Sequence, residues 1–365
     1  MTIKNFYING RFLTQPATGV QRFALEILNG LDNILNSKNA LKSNYICLVP
    51  TDTIRNSFPK WQNISIQECG FMHGNLWEQL ELPFFARKGL LLDLCNIGPL
   101  FHPSQIIVIH DASVFAVPEA YSTLFKLKYK LVYYFLSRTA EKVITVSQFS
   151  KRELSRYLKI NADRIAVIPE GCEHILRAEL DVSILDKYSL CTQPYLLAVG
   201  SSSLHKNLNS VIKAINLTHE KLPNLVITGG RFSKVFTQTD RSQDEGITHL
   251  GYVSDGQLRA LYENAVAFIF PSLYEGFGLP PLEAMRCGCP VICSNSASIP
   301  EICGDAALYF DPTNLSEIRS QIQHLVDNPP TQKLLKQNGV LRAQSFTWDR
   351  AAQSLLTILK EISFS

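Results

Sequence analysis

The sequence has no long hydrophobic run and no apolar segment at its start. Its first residues, Met1-Thr-Ile-Lys-Asn-Phe6, lack the hydrophobic core of a secretory signal peptide. None of its apolar runs approaches the ~20 residues that a helix needs to span a bilayer. We therefore expect a cytoplasmic protein.

Strong charge and closely paired cysteines are also missing. Charged residues make up 18% of the chain and the net charge is only +3, without a basic tail, so we expect no nucleic-acid partner. The nine cysteines include no C-x-x-C pair. Four of them fall between Cys287 and Cys303, at predicted helix-end and strand positions rather than in a ligand loop. We expect buried, reduced thiols and no metal site.

The 365 residues do contain two series of alternating strand and helix patterns. The second series begins with the apolar run 195–199. Residues 173–194 show no strong periodicity, which predicts a linker between the two series. Alternation of this kind predicts right-handed crossovers and parallel sheets. We therefore expect an α/β protein with two Rossmann-like domains facing a cleft.

The most informative stretch is 266–293. An apolar run at 266–270 predicts a buried strand, and Gly276 and Gly278 then allow backbone geometry closed to other residues. Pro280 and Pro281 suit the first turn of a helix, which ends near Gly288. A strand, a glycine-rich loop and a helix N-terminus gather backbone N–H groups around an anion.

Two carboxylates, Glu275 and Glu283, bracket this loop with seven residues between them. A carboxylate accepts two hydroxyl hydrogen bonds at once, and the vicinal diols of sugars and ribose present such a pair. The structural alternative is that each Glu is favourable near a helix N-terminus because of the helix dipole. The spacing favours a ligand site.

Three further segments are candidate site elements. Gly19 lies in a loop that leads into a helix, and Lys206 follows the strand 195–199, where it could stabilise a diphosphate or simply be a solvated side chain. His110 and Asp111 follow the apolar run 106–109, at the strand end where open α/β sheets place ligand chemistry. The pair permits an oriented imidazole, although a structural His held by a carboxylate is the alternative.

Residues 121–139 predict a helix with a basic face. When residues are placed at 100° intervals around the helix, Lys126 and Lys130 share one side, which is bordered by tyrosines. The opposite side is apolar, and we expect it to pack on its domain. The apolar side comprises Leu124, Leu131, Val132, Phe135 and Leu136. Lysine and tyrosine together suit weak, reversible contact with an anionic membrane surface, and a face that binds an anionic acceptor or stays solvated is an equal alternative.

The segment Glu275-Gly-Phe-Gly-Leu-Pro-Pro-Leu-Glu283 resembles the E-x7-E signature of retaining glycosyltransferases of family 4, which have the GT-B fold. The run 9–22 resembles bacterial polysaccharide-assembly mannosyltransferases. The resemblance implies an acceptor-binding domain at 1–175, a nucleotide-sugar domain at 190–348, and a last helix, 349–365, that crosses back to the first domain.

The resemblance also implies residue roles. Glu275 would hold the hydroxyls of the donor sugar and Glu283 the ribose, while the backbone of Phe277, Gly278 and Leu279 would face the sugar and diphosphate. Gly19 corresponds to a glycine that touches the donor phosphate, and His110-Asp111 to a segment that lines the sugar and acceptor site. Ser201 stands where the family usually has Arg, which leaves Lys206 as the expected cation, and Glu170 stands where Asn is usual.

The function implied is retaining transfer of a hexose from a nucleotide diphosphate sugar, with GDP-mannose favoured, to a saccharide or lipid-linked saccharide in cell-surface polysaccharide synthesis. No metal or other cofactor is expected. The site would work in the cytoplasm, with weak contact to the inner face of the membrane. Two alternatives remain open: another enzyme on the same scaffold, such as a sugar-nucleotide epimerase or a phosphorylase, and a nucleotide-sugar-binding protein without turnover.

Overall fold

The computed structural model describes residues 5–36, 43–51, 58–201, 203–217, 222–230 and 246–364. The chain divides into two compact units, one formed by Met1–Gly171 with Thr347–Ser365 and the other by Cys172–Phe346. Each unit has its own parallel sheet with helices packed on it. The prediction of two Rossmann-like α/β domains is confirmed.

The first unit contains a seven-stranded sheet in the order β3-β2-β1-β4-β5-β6-β7 and the second a six-stranded sheet in the order β10-β9-β8-β11-β12-β13. Every strand pair is parallel. The strands are β1 (Asn5–Asn9), β2 (Asn44–Pro50), β3 (Ile64–Cys69), β4 (Leu90–Asp93), β5 (Gln105–Val108), β6 (Lys142–Thr145), β7 (Ile165–Val167), β8 (Tyr195–Val199), β9 (Asn224–Thr228), β10 (Ile247–Gly251), β11 (Ala267–Phe270), β12 (Val291–Ser294) and β13 (Ala307–Phe310).

The helices are α1 (Gly19–Leu35), α2 (Gly74–Leu76), α3 (Leu82–Ala86), α4 (Ser113–Ala116), α5 (Thr123–Thr139), α6 (Gln148–Leu158), α7 (His174–Arg177), α8 (Ser183–Lys187), α9 (Leu208–Ile215), α10 (Asp255–Asn264), α11 (Leu279–Arg286), α12 (Ile299–Cys303), α13 (Leu315–Val326), α14 (Pro329–Gln344) and α15 (Trp348–Phe364). Most of the helices lie between consecutive strands of a sheet, whereas α7 and α8 lie between the two sheets and α13, α14 and α15 follow the last strand. A π-helical turn, Trp77–Glu81, joins α2 to α3, so 74–86 is one continuous helical segment.

In both sheets the strand order reverses beside the first strand of the unit. The neighbours at that point are β1 and β4 in the first unit and β8 and β11 in the second. In open parallel sheets, ligands bind at the carboxyl ends of the strands at such a switch point, because the two flanking loops diverge there and leave a crevice. The topology therefore gives each unit one preferred site.

The C-terminal helix α15 belongs to the first unit and packs against α1. The approach is close at Gly30, where a Cβ atom would lie 2.9 Å from the Ala352 Cβ and 3.0 Å from the Trp348 carbonyl oxygen. Trp348, which begins α15, is fully buried and meets Phe23 of α1 edge to face. Small and aromatic side chains thus fix the register of the two helices.

The prediction of a linker at 173–194 is wrong. This segment contains α7 and α8 and belongs to the second unit. Arg259 of α10 donates hydrogen bonds to the carbonyl oxygens of Leu176 and Ala178, which ties the segment to the unit. Helices of four and five residues are too short to show a 3.6-residue period, which explains why the sequence pattern did not reveal them.

The predicted packing of α5 is also wrong. Val132 and Leu136 are buried as expected, but Leu124, Leu131 and Phe135 of the same predicted apolar side are exposed. Tyr133 and Ser137 are buried instead. A ladder of aromatic rings at i, i+4 spacing, Tyr121–Phe125–Tyr129–Tyr133, lies on the packed side of the helix. The side of α5 that packs on the first unit is therefore largely aromatic, and three side chains predicted to be buried face outward.

Two features are absent from the described ranges. No helix there has both the length and the apolar character required to cross a membrane. Likewise, no three or more His, Cys, Asp or Glu side chains of those ranges are grouped as metal ligands would be. All nine cysteines are free thiols.

Candidate active site

The candidate site of the second unit lies at the switch point of its sheet. The loop after β8 carries Ser201 and Lys206, and the loop after β11 carries Glu275 and Phe277. Because β8 and β11 are neighbours, the two loops emerge side by side. This adjacency allows Lys206 and Glu275, 69 residues apart in the chain, to meet.

Lys206 and Glu275 form an ion pair. The Lys206 Nζ donates to the Glu275 Oε1 at 2.6 Å, and both side chains are mostly shielded, with exposed fractions of 22% and 15%. The ammonium also lies 5.7 Å from the centre of the Phe270 ring. Lys206 is therefore not a freely solvated surface lysine. The pair places one cation and one carboxylate side by side at the loop crossing.

Side-chain hydrogen bonds to the backbone hold the site loops in place. Asn207, in the left-handed region with φ 55°, donates through Nδ2 to the carbonyl oxygens of Pro271 and Pro312. Ser298 donates through Oγ to the carbonyl oxygens of Glu275, at 2.9 Å, and Phe277, at 2.6 Å. Loops tied to their neighbours in this way present their amide groups in a fixed arrangement.

The helix α11 starts directly from the Glu275 loop. Its N-cap, Gly278, has φ +119°, which a residue with a Cβ atom rarely adopts, and no side chain caps the helix. Leu279 is the first helical residue, and Pro280 and Pro281 have no N–H group. The remaining first-turn N–H groups have no acceptor within the helix, so this end carries the partial positive charge that favours an anion.

Glu283 lies in α11 and is 7% exposed. The His174 Nε2 lies 2.8 Å from its Oε1, and the Tyr262 hydroxyl donates to its Oε2 at 3.3 Å. Burial, and then the nearby Glu283 charge, raises the pKa of Tyr262 well above its usual value, so the phenol stays a donor. An ionised carboxylate has about four acceptor positions, which leaves about two for a ligand.

Sequence reasoning missed both partners of Glu283. His174 lies 109 residues away in the segment predicted to be a linker, and Tyr262 lies 21 residues away on another helix. No spacing pattern connects residues at such separations. Their contact with Glu283 depends on α7 and α10 packing against α11.

In the first unit, His110 lies at the end of β5 and is 5% exposed. Its backbone N–H donates to the Asn96 Oδ1 at 2.8 Å, and its Nε2 lies 3.1 Å from the Leu94 carbonyl oxygen. Since a carbonyl oxygen only accepts hydrogen bonds, Nε2 carries a proton. The other ring nitrogen, Nδ1, lies 3.6 Å from the Glu170 Oε1. The imidazole is thus held in one orientation by contacts on both nitrogens.

The structure shows a different contact from the His110–Asp111 pairing that the sequence permits. The Asp111 Oδ1 instead accepts from the Ser113 N–H at 2.8 Å and closes the turn before α4. The carboxylate that faces the imidazole is Glu170, which stands where the family usually has Asn. The two residues are 60 positions apart, so only the pairing of β5, β6 and β7 brings them together.

Gly19 begins α1, next to a capping interaction between Thr18 and Gln21. It is exposed, and a Cβ atom there would contact nothing within 4 Å. The loop borders a cavity of about 420 Å³ at the β1/β4 switch point of the first sheet, which the sequence did not predict. The cavity is lined by polar side chains together with two aromatic rings of α5, among them Arg11, Gln21, Asn75, Glu78, Asn96, Phe125, Lys128 and Tyr129.

A buried polar network forms the floor of this cavity. The Arg11 Nη1 donates to the Glu78 Oε2 at 2.6 Å, and Asn9 donates through Nδ2 to both the Glu78 Oε1 and the Asp93 Oδ1. Burial raises the pKa of Asp93 well above its usual value and also raises that of Glu78. Two acids and a cation held in this way give the first unit its own hydrogen-bonding site.

Comparisons with known proteins agree with this architecture. Residues 186–342 match the profile described as "Glycosyl transferases group 1", and residues 94–174 match "Glycosyltransferase Family 4". The O-antigen chain mannosyltransferase B of Escherichia coli is 30% identical over 382 residues, covering 94% of this chain and 96% of that protein.

Two solved structures share the fold over nearly the full length. Sucrose-phosphate synthase of Thermosynechococcus elongatus superimposes with a TM-score of 0.76 at 17% identity, covering 99% of each chain. Anabaena HepE in complex with UDP-glucose gives a TM-score of 0.76 at 15% identity, covering 98% of this chain and 100% of that one. The chain therefore belongs to the family 4 glycosyltransferases, the glycosyl transferases group 1, and has their GT-B fold.

Proposed function

We propose that this glycosyltransferase is a retaining hexosyltransferase that moves mannose from GDP-mannose to a saccharide or lipid-linked saccharide during cell-surface polysaccharide synthesis. The observation that carries the proposal is the Lys206–Glu275 pair at the second switch point, with Glu283 buried behind it in α11. Mannose is favoured because the E. coli relative similar over 94% of this chain is named as a mannosyltransferase.

In this proposal the second unit holds the donor. Lys206 and the start of α11, with the backbone of Phe277, Gly278 and Leu279, stabilise the diphosphate. Glu283 accepts the ribose hydroxyls through the acceptor positions that His174 and Tyr262 leave open. Glu275 accepts hydroxyls of the sugar, while Ser201 would lie near the phosphates.

Transfer requires the bond between the anomeric carbon and the phosphate oxygen to break as the acceptor oxygen attacks. The leaving GDP takes the electron pair, and Lys206 and the α11 N-terminus stabilise its charge. The acceptor proton passes to the departing phosphate, so no protein base is needed. Attack on the face from which the phosphate leaves would keep the anomeric configuration without a protein nucleophile. His110, whose two ring nitrogens face the Leu94 carbonyl oxygen and Glu170, would line the acceptor side in the first unit through the fixed position of its ring rather than as a hydrogen-bond donor.

We place the acceptor on the first unit, in its switch-point cavity. Carboxylates and amides form hydrogen bonds with sugar hydroxyls, and aromatic rings stack on sugar rings. The cavity contains all three kinds of group. No metal ion would be needed, because Lys206 and the α11 N-terminus supply the positive charge. The enzyme would work in the cytoplasm. Weak contact with the inner membrane would bring it to a lipid-linked acceptor.

Release of free GDP tests the proposal against its two alternatives. A transferase releases GDP from GDP-mannose in proportion to added acceptor. An epimerase changes the sugar and releases no GDP, and a binding protein leaves the donor unchanged. Thermal shifts with nucleotides and nucleotide sugars identify the donor first, since a ligand at a hundred times its Kd stabilises the fold by about 2.7 kcal/mol. A larger shift with a uridine than with a guanosine nucleotide would exclude GDP-mannose.

The stereochemistry of the product is a separate prediction. We expect the first-formed linkage to keep the anomeric configuration of the donor, as in family 4 enzymes with the E-x7-E signature. NMR of the product measures this through the one-bond carbon–proton coupling at the anomeric position, because the H1–H2 coupling of mannose is small in both anomers. An inverted linkage would contradict the retaining mechanism.

A further inference from the structure

The exposed apolar side chains of this protein are unevenly distributed. In the described part of the chain, twelve of the twenty large apolar side chains with high exposure fall between residues 71 and 135 of the first unit, and the other eight are spread from 180 to 341. Scattered exposed apolar residues are ordinary, whereas a concentration in one region marks an interaction surface.

The outer face of α5 holds the largest share of them. Leu124, Leu127, Leu131, Tyr134 and Phe135 are between 49% and 80% exposed. At 100° per residue these five side chains, with Lys128 and Arg138, occupy one arc of about 120°. The opposite arc contains Val132, Tyr133 and Leu136, which pack into the first unit's core. The helix is thus apolar on both sides, and one of these sides faces outward.

A second apolar stripe lies on the neighbouring helical segment 74–86. Leu76, Leu80 and Phe84, spaced four residues apart, are between 58% and 63% exposed. The segment ends in Arg87, whose guanidinium lies 4.3 Å from the centre of the Phe84 ring, and Lys88. Both helices line the switch-point cavity, with Asn75 and Glu78 from one and Lys128 from the other. The two stripes therefore flank one polar cavity.

The charge of α5 decides what kind of partner fits. The helix carries three lysines and Arg138 and no acidic residue. In a symmetric dimer through this face, the same cationic helix would meet its own copy and repel it. An apolar stripe bordered by cations fits the interface of an anionic bilayer, where apolar side chains enter the acyl boundary and basic ones meet lipid phosphates. Seventeen residues, or about 25 Å of helix, would lie along the surface.

We propose that the outer face of α5 and the stripe Leu76–Leu80–Phe84 together dock the first unit on an anionic lipid bilayer, with the cavity between them open to a membrane-anchored acceptor. The contact is mainly hydrophobic, which differs from the basic face expected from the sequence. Lys126 and Lys130 are half-buried, and the Lys130 Nζ lies 5.3 Å from the centre of the Phe115 ring. The identity of the acceptor rests on the proposed function, and the docking itself does not.

Co-sedimentation of the full chain with phosphatidylethanolamine vesicles, with and without phosphatidylglycerol, tests the docking. We expect wild type to bind vesicles that contain phosphatidylglycerol. Leu127→Ser/Leu131→Ser should lower the partition coefficient at least about tenfold, because two leucines that would be buried in the bilayer are lost. The matched control is Leu334→Ser/Leu341→Ser on α14 of the second unit, where the same residues have similar exposure, 55% and 66%. It should bind as wild type does.

Charge and self-association supply two further readouts. Lys128→Glu should weaken binding to anionic vesicles about fivefold or more, since a basic residue near the surface is replaced by an acid. Equal sedimentation of the α5 double variant and wild type, or no sedimentation of wild type, would overturn the proposal. A wild-type dimer in light scattering that dissociates in Leu127→Ser/Leu131→Ser would also overturn it and assign the face to a second copy of this chain.

Vesicle binding and sugar transfer fail independently. No sugar is present in the sedimentation assay, so a protein that lacks the proposed donor or acceptor can still dock. Conversely, a protein that does not dock can still release GDP with a water-soluble acceptor. Circular dichroism and the midpoint of thermal unfolding of each α5 variant, compared with wild type, show whether the first unit remains folded, since all the exchanged α5 side chains are exposed and belong to that unit.

Discussion

Glu275→Ala is expected to lower turnover by at least ~10²-fold while leaving affinity for plain GDP nearly intact, because the proposed partner of Glu275 is the reacting sugar. The structure adds a second consequence. Lys206 loses the carboxylate that accepts from its ammonium at 2.6 Å, so the cation still meets the diphosphate of GDP but is no longer held in one position as the phosphate leaves. Initial rates with saturating GDP-mannose, and GDP affinity by calorimetry, measure the two quantities.

The control for this prediction is Glu263→Ala. Glu263 also pairs with a cation, Arg259 at 2.7 Å, but does so within the exposed part of α10. Loss of such a pair is worth about 0.3–0.5 kcal/mol of stability and should leave turnover unchanged. Equal loss of GDP affinity and of turnover in Glu275→Ala would show that Glu275 serves the nucleotide as well, and the proposed division of roles would fail.

Glu283→Ala is expected to have its main effect on the nucleotide. One lost charged hydrogen bond to the ribose should cost about 1.5–3 kcal/mol of binding free energy, which corresponds to a roughly 10- to 150-fold higher Kd for GDP. The loss should be similar for GDP and GDP-mannose, because both carry the ribose. Calorimetric titration of the two ligands gives the comparison.

This substitution also removes the acceptor for two buried donors. His174 and Tyr262 would each lose their bond to Glu283, so the free energy of unfolding should fall as well. Tyr262→Phe is the matched variant, since it removes one of these bonds and keeps the carboxylate. It should retain most of the GDP affinity. If a folded Glu283→Ala protein binds GDP as tightly as wild type, Glu283 is not the ribose partner.

The candidate site divides into a part that sequence predicts and a part that it does not. Glu275, Glu283 and Gly278 lie within one loop and one helix, where spacing along the chain determines spacing in space. Lys206 and Glu275 are 69 residues apart, and their pairing follows only from the adjacency of β8 and β11. The pairing of His110 with Glu170 rather than Asp111 is of the same kind.

The sequence by itself determined the two alternating series of strands and helices, and the loop-to-helix turn at 275–283. These are local properties, because buried strands show as apolar runs, and glycine and proline mark the turns between elements. Only the tertiary structure decided which partners hold Glu283 and His110, and which face of α5 is exposed. Each of those outcomes depends on elements far apart in the chain packing together. When a helix has apolar residues on two sides, its own sequence does not show which side packs against the core.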